Sequence, residues 1–168
     1  MRLLIAAVGK LKQEPERELV AHYLGRAAGA GRALGFAHFD AIEIPESKAA
    51  TAALRAQAEA AVLLAKSTFT HDIVALDPRG DQLDSEAFAS MLRRTRDDGK
   101  PGLTFVIGGA DGLGNDLLAK AQRRLSLGAM TLPHGLARVV LAEQIYRAMT
   151  ILAGHPYHRV APPKVKSS

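Results

Sequence analysis

The chain contains no cysteine among its 168 residues. Disulfides, thiolate nucleophiles and zinc sites with cysteine ligands are therefore excluded. No apolar stretch approaches the roughly 18 consecutive residues that a membrane span requires, so no membrane association is expected. The chain starts with a short apolar run but lacks a small-residue cleavage site after it, which predicts a buried strand rather than a signal peptide. These absences favour a cytoplasmic location.

Acidic residues are scarce in the last third of the chain. Residues 1–100 hold 14 Lys and Arg against 14 Asp and Glu, whereas residues 101–168 hold 8 against 3. A one-ended excess of positive charge is typical of a protein with a polyanionic partner, because phosphate neutralisation is the general source of nucleic-acid affinity. A solvated basic surface is the alternative explanation.

Apolar segments alternate with segments of helical periodicity along the chain, whose size and composition are those of one soluble domain. This alternation predicts an α/β fold with a mainly parallel sheet flanked by helices. The predicted strands are 3–8, 36–44, 71–76, 103–107 and 125–127, and the predicted helices are 47–66, 84–99, 115–123 and 136–153. The last helix is apolar nearly all round, which favours a subunit interface, and Asp77–Gly80 predicts a turn.

Glycines cluster directly after the predicted strand 103–107, in the segment Gly108-Gly-Ala-Asp-Gly-Leu-Gly114. Open α/β sheets bind ligands at the carboxyl ends of their strands, where glycine lets a ligand approach the backbone. The spacing fits neither a dinucleotide fingerprint nor a phosphate-binding Walker loop. The cluster therefore predicts either a ligand site of another kind or a tight turn that requires positive φ.

Two further segments carry candidate chemistry. Residues 125–134, Leu-Ser-Leu-Gly-Ala-Met-Thr-Leu-Pro-His, form an apolar stretch whose backbone could bind an adenine edge, although a core strand with a turn has the same pattern. Residues 154–159, Gly-His-Pro-Tyr-His-Arg, combine an aromatic ring with Arg and His, which suits base stacking and phosphate contact. A chemically idle tail is the alternative there.

Other chemistries lack their residues. His155 and His158 have no third ligand at a suitable spacing for zinc, and the aspartates at 77, 81 and 84 lack the terminal glutamate of a calcium loop. No Gly-x-Ser-x-Gly motif occurs, which excludes a nucleophile elbow of the α/β-hydrolase type. We therefore expect no metal site and no nucleophile of the α/β-hydrolase type.

Taken in order, the segments 76–77, 107–112, 125–134 and 155–159, with the helical segment 141–148, resemble those of the small bacterial SPOUT methyltransferases. These enzymes methylate N3 of pseudouridine-1915 in 23S ribosomal RNA. The resemblance covers residues 1–160 and implies one SPOUT-type α/β knot domain, with a deep trefoil knot at its C-terminal end, in a homodimer. Residues 161–168 extend beyond the usual end of the family and are expected to form a flexible basic tail.

The resemblance implies S-adenosylmethionine as the methyl donor, without a metal. The residues that it places at the cofactor are Leu76, Gly108, Gly109, Leu127, Gly128, Ala129, Met130, Thr131 and Leu132.

The resemblance also implies that the catalytic residues surround the target nitrogen. The candidates are His134, Tyr157, His158 and Arg159. A histidine could accept the N3 proton at neutral pH, and Arg159 could stabilise negative charge on the ring carbonyls. The tail of one subunit is expected to complete the site of the other.

The expected partner is ribosomal RNA within the assembled ribosome, rather than DNA. Three alternatives stay open. They are a SPOUT enzyme for another RNA nucleotide, a non-catalytic ribosomal-RNA-binding assembly factor, and a protein that binds a small-molecule nucleotide.

Overall fold

The computed structural model describes residues 1–11, 14–67 and 71–158. The strands in these ranges are β1 (Arg2–Val8), β2 (His38–Ile44), β3 (His71–Gln82), β4 (Gly102–Ile107) and β5 (Arg123–Ser126). The α-helices are α1 (Glu14–Gly31), α2 (Ala52–Lys66), α3 (Ser85–Asp97), α4 (Asn115–Lys120) and α5 (His134–Leu152), and a short 3-10 helix (Arg32–Leu34) follows α1.

The five strands form one sheet in the order β2-β1-β4-β3-β5, and every neighbouring pair is parallel. Parallel strands that are covered on both faces have continuous apolar sequences, because neither face is exposed to water. All six residues of β4 are buried. This arrangement confirms the predicted α/β fold with a parallel sheet, whereas the trefoil knot stays a prediction.

Alternate residues of the central strands point into two separate hydrophobic cores. Leu3 and Ile5 of β1 pack with α1, α3 and α5 on one face of the sheet, and Ala6 and Val8 pack with α2 and α4 on the other. Helix α5 lies against both α1 and α3. Burial by these two neighbours accounts for much of its apolar circumference, so a subunit interface on α5 stays a prediction.

Helix α1 was not predicted from the sequence. It contains Gly25, Gly29 and Gly31, and each interior glycine lowers helix stability by about 0.5–1 kcal/mol relative to alanine. The buried side chains of Val20 and Leu24 join the core that α5 completes. Packing therefore stabilises a helix whose local sequence does not favour one.

Strand β3 extends through Asp77–Gly80, where a turn was predicted, but the chain bends there, with the N–H of Arg79 donating to Oδ1 of Asp77 at 2.9 Å. Leu76 and Asp81 both pair with Leu125 of β5, so the four residues between them form an irregularity in the ladder. A Cβ on Gly80 would lie 2.6 Å from the backbone of Arg124. Glycine thus allows β3 to approach β5 closely within the irregularity.

Candidate functional site

A cavity of about 570 Å³ opens at the carboxyl edge of the sheet. Its walls come from the ends of β3, β4 and β5 and from the loops that follow them. The volume lies in the range typical of small-molecule sites. All nine predicted cofactor residues line this one cavity: Leu76, Gly108, Gly109, Leu127, Gly128, Ala129, Met130, Thr131 and Leu132.

The loop after β4 folds back on itself through its glycines. The N–H of Gly112 donates to the carbonyl oxygen of Gly109 at 3.0 Å, and Gly112 has a φ of +80°, which favours glycine. A Cβ on Gly108 would lie 2.6 Å from the carbonyl oxygen of Gly112. The predicted tight turn is therefore confirmed, and the same loop lines the cavity, where ligand binding stays a prediction.

Side chains of helix α2 contact this loop and hold it in place. Arg55 donates two hydrogen bonds to the carboxylate of Asp111, at 2.6 and 3.1 Å. The hydrogen bond from Arg55 holds the pKa of Asp111 below its usual value. Glu59, one turn further along α2, is buried and accepts the N–H of Ser47 at 2.8 Å, and a Cβ on Gly109 would lie 2.9 Å from its other oxygen. No role was predicted for Arg55 or Glu59 from the sequence, although they form a charged pair at i, i+4 in an alanine-rich helix.

The segment between β5 and α5 is open on the cavity side. The hydroxyl of Ser126 lies 3.3 Å from the N–H of Gly128, which donates to it, and 3.1 Å from the Gly128 carbonyl, which accepts from it. Met130 is 83% exposed. An apolar side chain this exposed at a cavity rim is available to cover a ligand or a partner.

His134 begins α5 and lines the cavity with an exposed side chain. One turn later, the guanidinium of Arg138 is buried and donates to Glu43 at 2.8 Å, to the carbonyl of Gly9 at 2.7 Å and to that of Val8. Burial lowers the pKa of Arg138, and the carboxylate of Glu43 opposes this shift. Arg138 thereby fixes the start of α5, and with it His134, to the ends of β1 and β2. No role was predicted for Arg138 from the sequence, although it is the only charged side chain in the first two turns of α5.

Tyr157 does not line the cavity. Its ring packs on that of Tyr146 with centroids 4.7 Å apart, and its hydroxyl donates to Glu143 at 3.1 Å. Arg147 donates to the same oxygen of Glu143 at 2.6 Å. Burial, followed by the hydrogen bond to Glu143, raises the pKa of Tyr157. Tyr157 is therefore held in its protonated form against the side of α5.

His158 also lies away from the cavity. Its Nε2 is 3.6 Å from a carboxylate oxygen of Glu86 in α3, and its Nδ1 is buried without a hydrogen-bond partner in the part of the chain that the structure describes. Arg159 lies outside the described residues. One chain thus brings His134 to the predicted cofactor residues but does not bring Tyr157 or His158 there.

Within residues 1–11, 14–67 and 71–158, no group of three or more His, Asp or Glu side chains could hold a metal ion. Over the same ranges, no helix is both long and apolar enough to span a membrane.

Comparisons with known proteins show which family the chain belongs to. The family model described as "Predicted SPOUT methyltransferase" matches residues 1–158. A protein of Rhodopseudomonas palustris named "Ribosomal RNA large subunit methyltransferase H" is 56% identical over 159 residues, which cover 95% of this chain and 99% of the relative. A protein of the same name from Xanthobacter autotrophicus is 54% identical with the same coverage.

Solved structures resemble the chain more distantly. A probable methyltransferase from Bordetella pertussis has a TM-score of 0.48 and 20% identity, with 88% of this chain and 95% of that chain covered. A probable methylase family protein from Haemophilus influenzae has a TM-score of 0.48 and 15% identity, with 97% and 72% covered. The family model and the close relatives decide the assignment: the chain belongs to the SPOUT methyltransferases and, among them, to the family named ribosomal RNA large subunit methyltransferase H.

Proposed function

We propose that the protein transfers a methyl group from S-adenosylmethionine to N3 of pseudouridine-1915 in 23S ribosomal RNA, on the assembled ribosome in the cytoplasm. The observation that carries the proposal is the convergence of all nine expected cofactor residues on one cavity. The ribosomal RNA substrate is supported by the names of the relatives. The nucleotide and the ribosomal context rest on the sequence resemblance.

S-adenosylmethionine is the cofactor of SPOUT methyltransferases, as the sequence analysis predicts, and supplies an activated methyl group on a sulfonium. The cavity fits this molecule. Leu76, Ile107 and Leu132 offer apolar surface for an adenine ring, and the glycine loop offers backbone donors and acceptors. The buried carboxylate of Asp77 adds a negative charge that suits a cationic ligand.

The protein's task in this reaction is to align the base nitrogen with the methyl group, exclude water and remove the N3 proton. His134 is the cavity-lining histidine among the catalytic candidates, and a neutral imidazole can accept a proton near neutral pH. Tyr157 serves as a hydrogen-bond donor rather than a base, because its pKa is raised above an already high value. Arg159 would stabilise negative charge on the ring carbonyls.

The proposal includes a homodimer in which the segment after α5 of one protomer, with His158 and Arg159, completes the cavity of the other. This segment is called the tail, as distinct from the basic tail 161–168. Helix α5 has 19 residues and separates His134 from the tail by about 28 Å at about 1.5 Å per residue. Tyr157 then folds back only as far as Glu143 in the middle of the helix. A partner's tail offers His158 and Arg159 to the cavity without undocking Tyr157 from its own α5.

Residues 1–160 form the catalytic domain in this proposal, and the basic tail 161–168 adds weak attraction to RNA through Lys164 and Lys166. In this proposal the catalytic domain selects its one nucleotide on a large preformed surface, the assembled ribosome.

The test is a methyl-transfer assay with labelled S-adenosylmethionine on intact ribosomes and on free ribosomal RNA. The assay compares the wild type, Arg159→Ala and the control Arg93→Ala, which alters an exposed arginine of α3. We expect label at N3 of the pseudouridine on ribosomes, loss of label with Arg159→Ala and retention with Arg93→Ala. Label on a ribose 2′-hydroxyl instead would assign a different nucleotide. Ribosome binding without transfer would favour an assembly factor.

A further inference from the structure

Asp77 has a buried carboxylate oxygen without a hydrogen-bond partner among the residues that the structure describes. Its side chain is 6% exposed and lines the cavity. Oδ1 accepts the backbone N–H of Arg79 at 2.9 Å. Oδ2 is buried and has no hydrogen-bond partner within the described residues. Two arginines lie near this carboxylate: Nε of Arg79 is 3.5 Å from Oδ1, and Nη1 of Arg124 is 3.8 Å from Oδ2.

An unsatisfied carboxylate oxygen is unusual in a folded protein, because desolvation of a charged acceptor without a replacement hydrogen bond is unfavourable. Ser126, the other buried polar side chain of the cavity lining, is bonded to the backbone of Gly128. The carboxylate of Asp111, which is more exposed, is occupied by Arg55. Oδ2 of Asp77 is therefore the buried side-chain acceptor of this cavity that is left for a ligand.

The irregularity in β3 explains how Asp77 reaches the cavity. Leu76 is paired with Leu125 of β5, and Asp77 is the first residue after that pair. Oδ1 of Asp77 accepts the N–H of Arg79 and closes the local bend, and Oδ2 keeps no hydrogen-bond partner in the described residues. A regular strand would have continued the pairing with β5 instead of opening the chain here.

We propose that Asp77 is a cofactor-positioning residue, whose Oδ2 accepts a hydrogen bond from a hydroxyl or amine that S-adenosylmethionine shares with S-adenosylhomocysteine. This inference rests on the proposed function for the identity of the ligand. The ribose hydroxyls and the adenine and methionine amines are the donors common to both molecules. The negative charge of Asp77 also complements the sulfonium, which only S-adenosylmethionine carries.

Pairing with Arg124 is the competing role for Oδ2. The 3.8 Å separation is too long for a hydrogen bond, and the side chain of Arg124 is 48% exposed. An ion pair of this kind contributes little to stability. The two roles make opposite predictions for the removal of Arg124, because only the pairing role requires that side chain.

Isothermal titration of both ligands against Asp77→Asn, Arg124→Ala and the control Asp81→Asn tests the inference. Asp81 lies on the same strand with a 67% exposed side chain and an ion pair to Arg123. The Asp77→Asn change keeps an oxygen for the Arg79 N–H and replaces the Oδ2 acceptor with a donor. We expect both ligands to bind about ten- to a hundredfold more weakly to Asp77→Asn, the usual range for a hydrogen bond to a charged group, with S-adenosylmethionine affected more.

Arg124→Ala and Asp81→Asn should bind both ligands as the wild type does, and the melting temperature of ligand-free Asp77→Asn should stay close to that of the wild type. Wild-type affinity in Asp77→Asn, or weak binding in Arg124→Ala, would overturn the inference. Since Arg124→Ala leaves Asp77 intact, it decides between the two roles even when Asp77→Asn does not fold. A wild type that binds both ligands but transfers no methyl group to ribosomal RNA would refute the proposed function alone.

Discussion

The cavity at the carboxyl edge of the sheet is walled mostly by backbone and apolar side chains, whereas aromatic and charged side chains hold the segment after α5. The cavity is held in shape by the glycine loop and by Arg55 and Glu59 of α2. The segment after α5 is held by Tyr157, which packs on Tyr146 and bonds to Glu143. The first region is assembled within one chain. The second carries catalytic candidates that its own chain does not deliver to the cavity.

The largest expected effect that distinguishes the cavity from the segment after α5 is the recovery of methyl-transfer activity in a heterodimer of two inactive variants. Gly108→Ala disables the cavity, and Arg159→Ala disables the tail. When the two variants are co-expressed with different tags and purified through both, each heterodimer contains one intact cavity and one intact tail, on different chains. If the tail acts across the interface, the heterodimer should have about half of the wild-type methyl-transfer activity, because a two-fold dimer has two equivalent sites.

Each variant alone should be nearly inactive in the same assay. An inactive heterodimer would show that the tail acts on its own cavity. The structure offers a route for that outcome, since a second cavity of about 360 Å³ shares Leu125–Gly128 with the first and is also lined by Ser85 and Gln144. His158 contacts Glu86, the neighbour of Ser85.

The next largest effect concerns the backbone wall of the cavity. In Gly108→Ala, the new Cβ would lie 2.6 Å from the carbonyl oxygen of Gly112, so the glycine loop must move. Overpacking of this kind costs about 1–3 kcal/mol, and a displaced loop should weaken S-adenosylmethionine binding about ten- to a hundredfold. Titration calorimetry measures the affinity, and thermal melting checks the fold.

Gly29→Ala is the matched control, because a Cβ at this exposed position in α1 meets nothing within 4 Å. It should leave cofactor affinity unchanged and raise the free energy of unfolding by about 0.5–1 kcal/mol. Equal affinities in Gly108→Ala and Gly29→Ala would mean that the loop does not bind the cofactor.

The difference between local sequence segments and long-range contacts explains which parts of the fold and the site could be predicted from the sequence. The glycine cluster 108–114 and the segment 125–134 are continuous in sequence, so their chemistry and their place after strands were visible locally. The supporting contacts are not local, since Arg55 and Asp111 are 56 residues apart and Arg138 reaches Val8 across 130 residues. Helix α1 was missed for the same reason, because its stability comes from packing against α5 rather than from its own composition.

A smaller effect should follow from loosening the segment after α5. Tyr157→Phe removes the hydrogen bond to Glu143 and keeps the ring on Tyr146. The loss of one such hydrogen bond costs about 1 kcal/mol, which corresponds to roughly fivefold slower methyl transfer if the docked tail is the active one. Cofactor affinity should not change, because Tyr157 does not line the cavity.

Tyr23→Phe is the control for this change, since the ring of Tyr23 also lies near Tyr146, with centroids 6.3 Å apart. Transfer rates and titration calorimetry on the two variants separate tail docking from cofactor binding. Weaker cofactor binding in Tyr157→Phe would contradict the separation of the two regions.

The smallest effect lies at the opposite edge of the sheet, where His71 can be used to separate pH effects on stability from those on activity. The ring of His71 bonds to Thr104 at 3.1 Å, and burial, followed by the charge of Arg2, lowers its pKa. The unfolded chain therefore binds this proton at a higher pH than the folded chain does. The free energy of unfolding should be highest above about pH 6.5, the ordinary pKa of histidine, and should fall as pH decreases below it.

Urea unfolding of the wild type and His71→Asn between pH 5 and 8 measures this dependence, which should be flatter in the variant. The pH profile of methyl transfer should be the same in both proteins, because His71 lies at the amino end of β3, away from the cavity and from the segment after α5. A shift of the rate profile in His71→Asn would show that unfolding contributes to the pH dependence of methyl transfer. An unchanged profile would assign that dependence to groups other than His71.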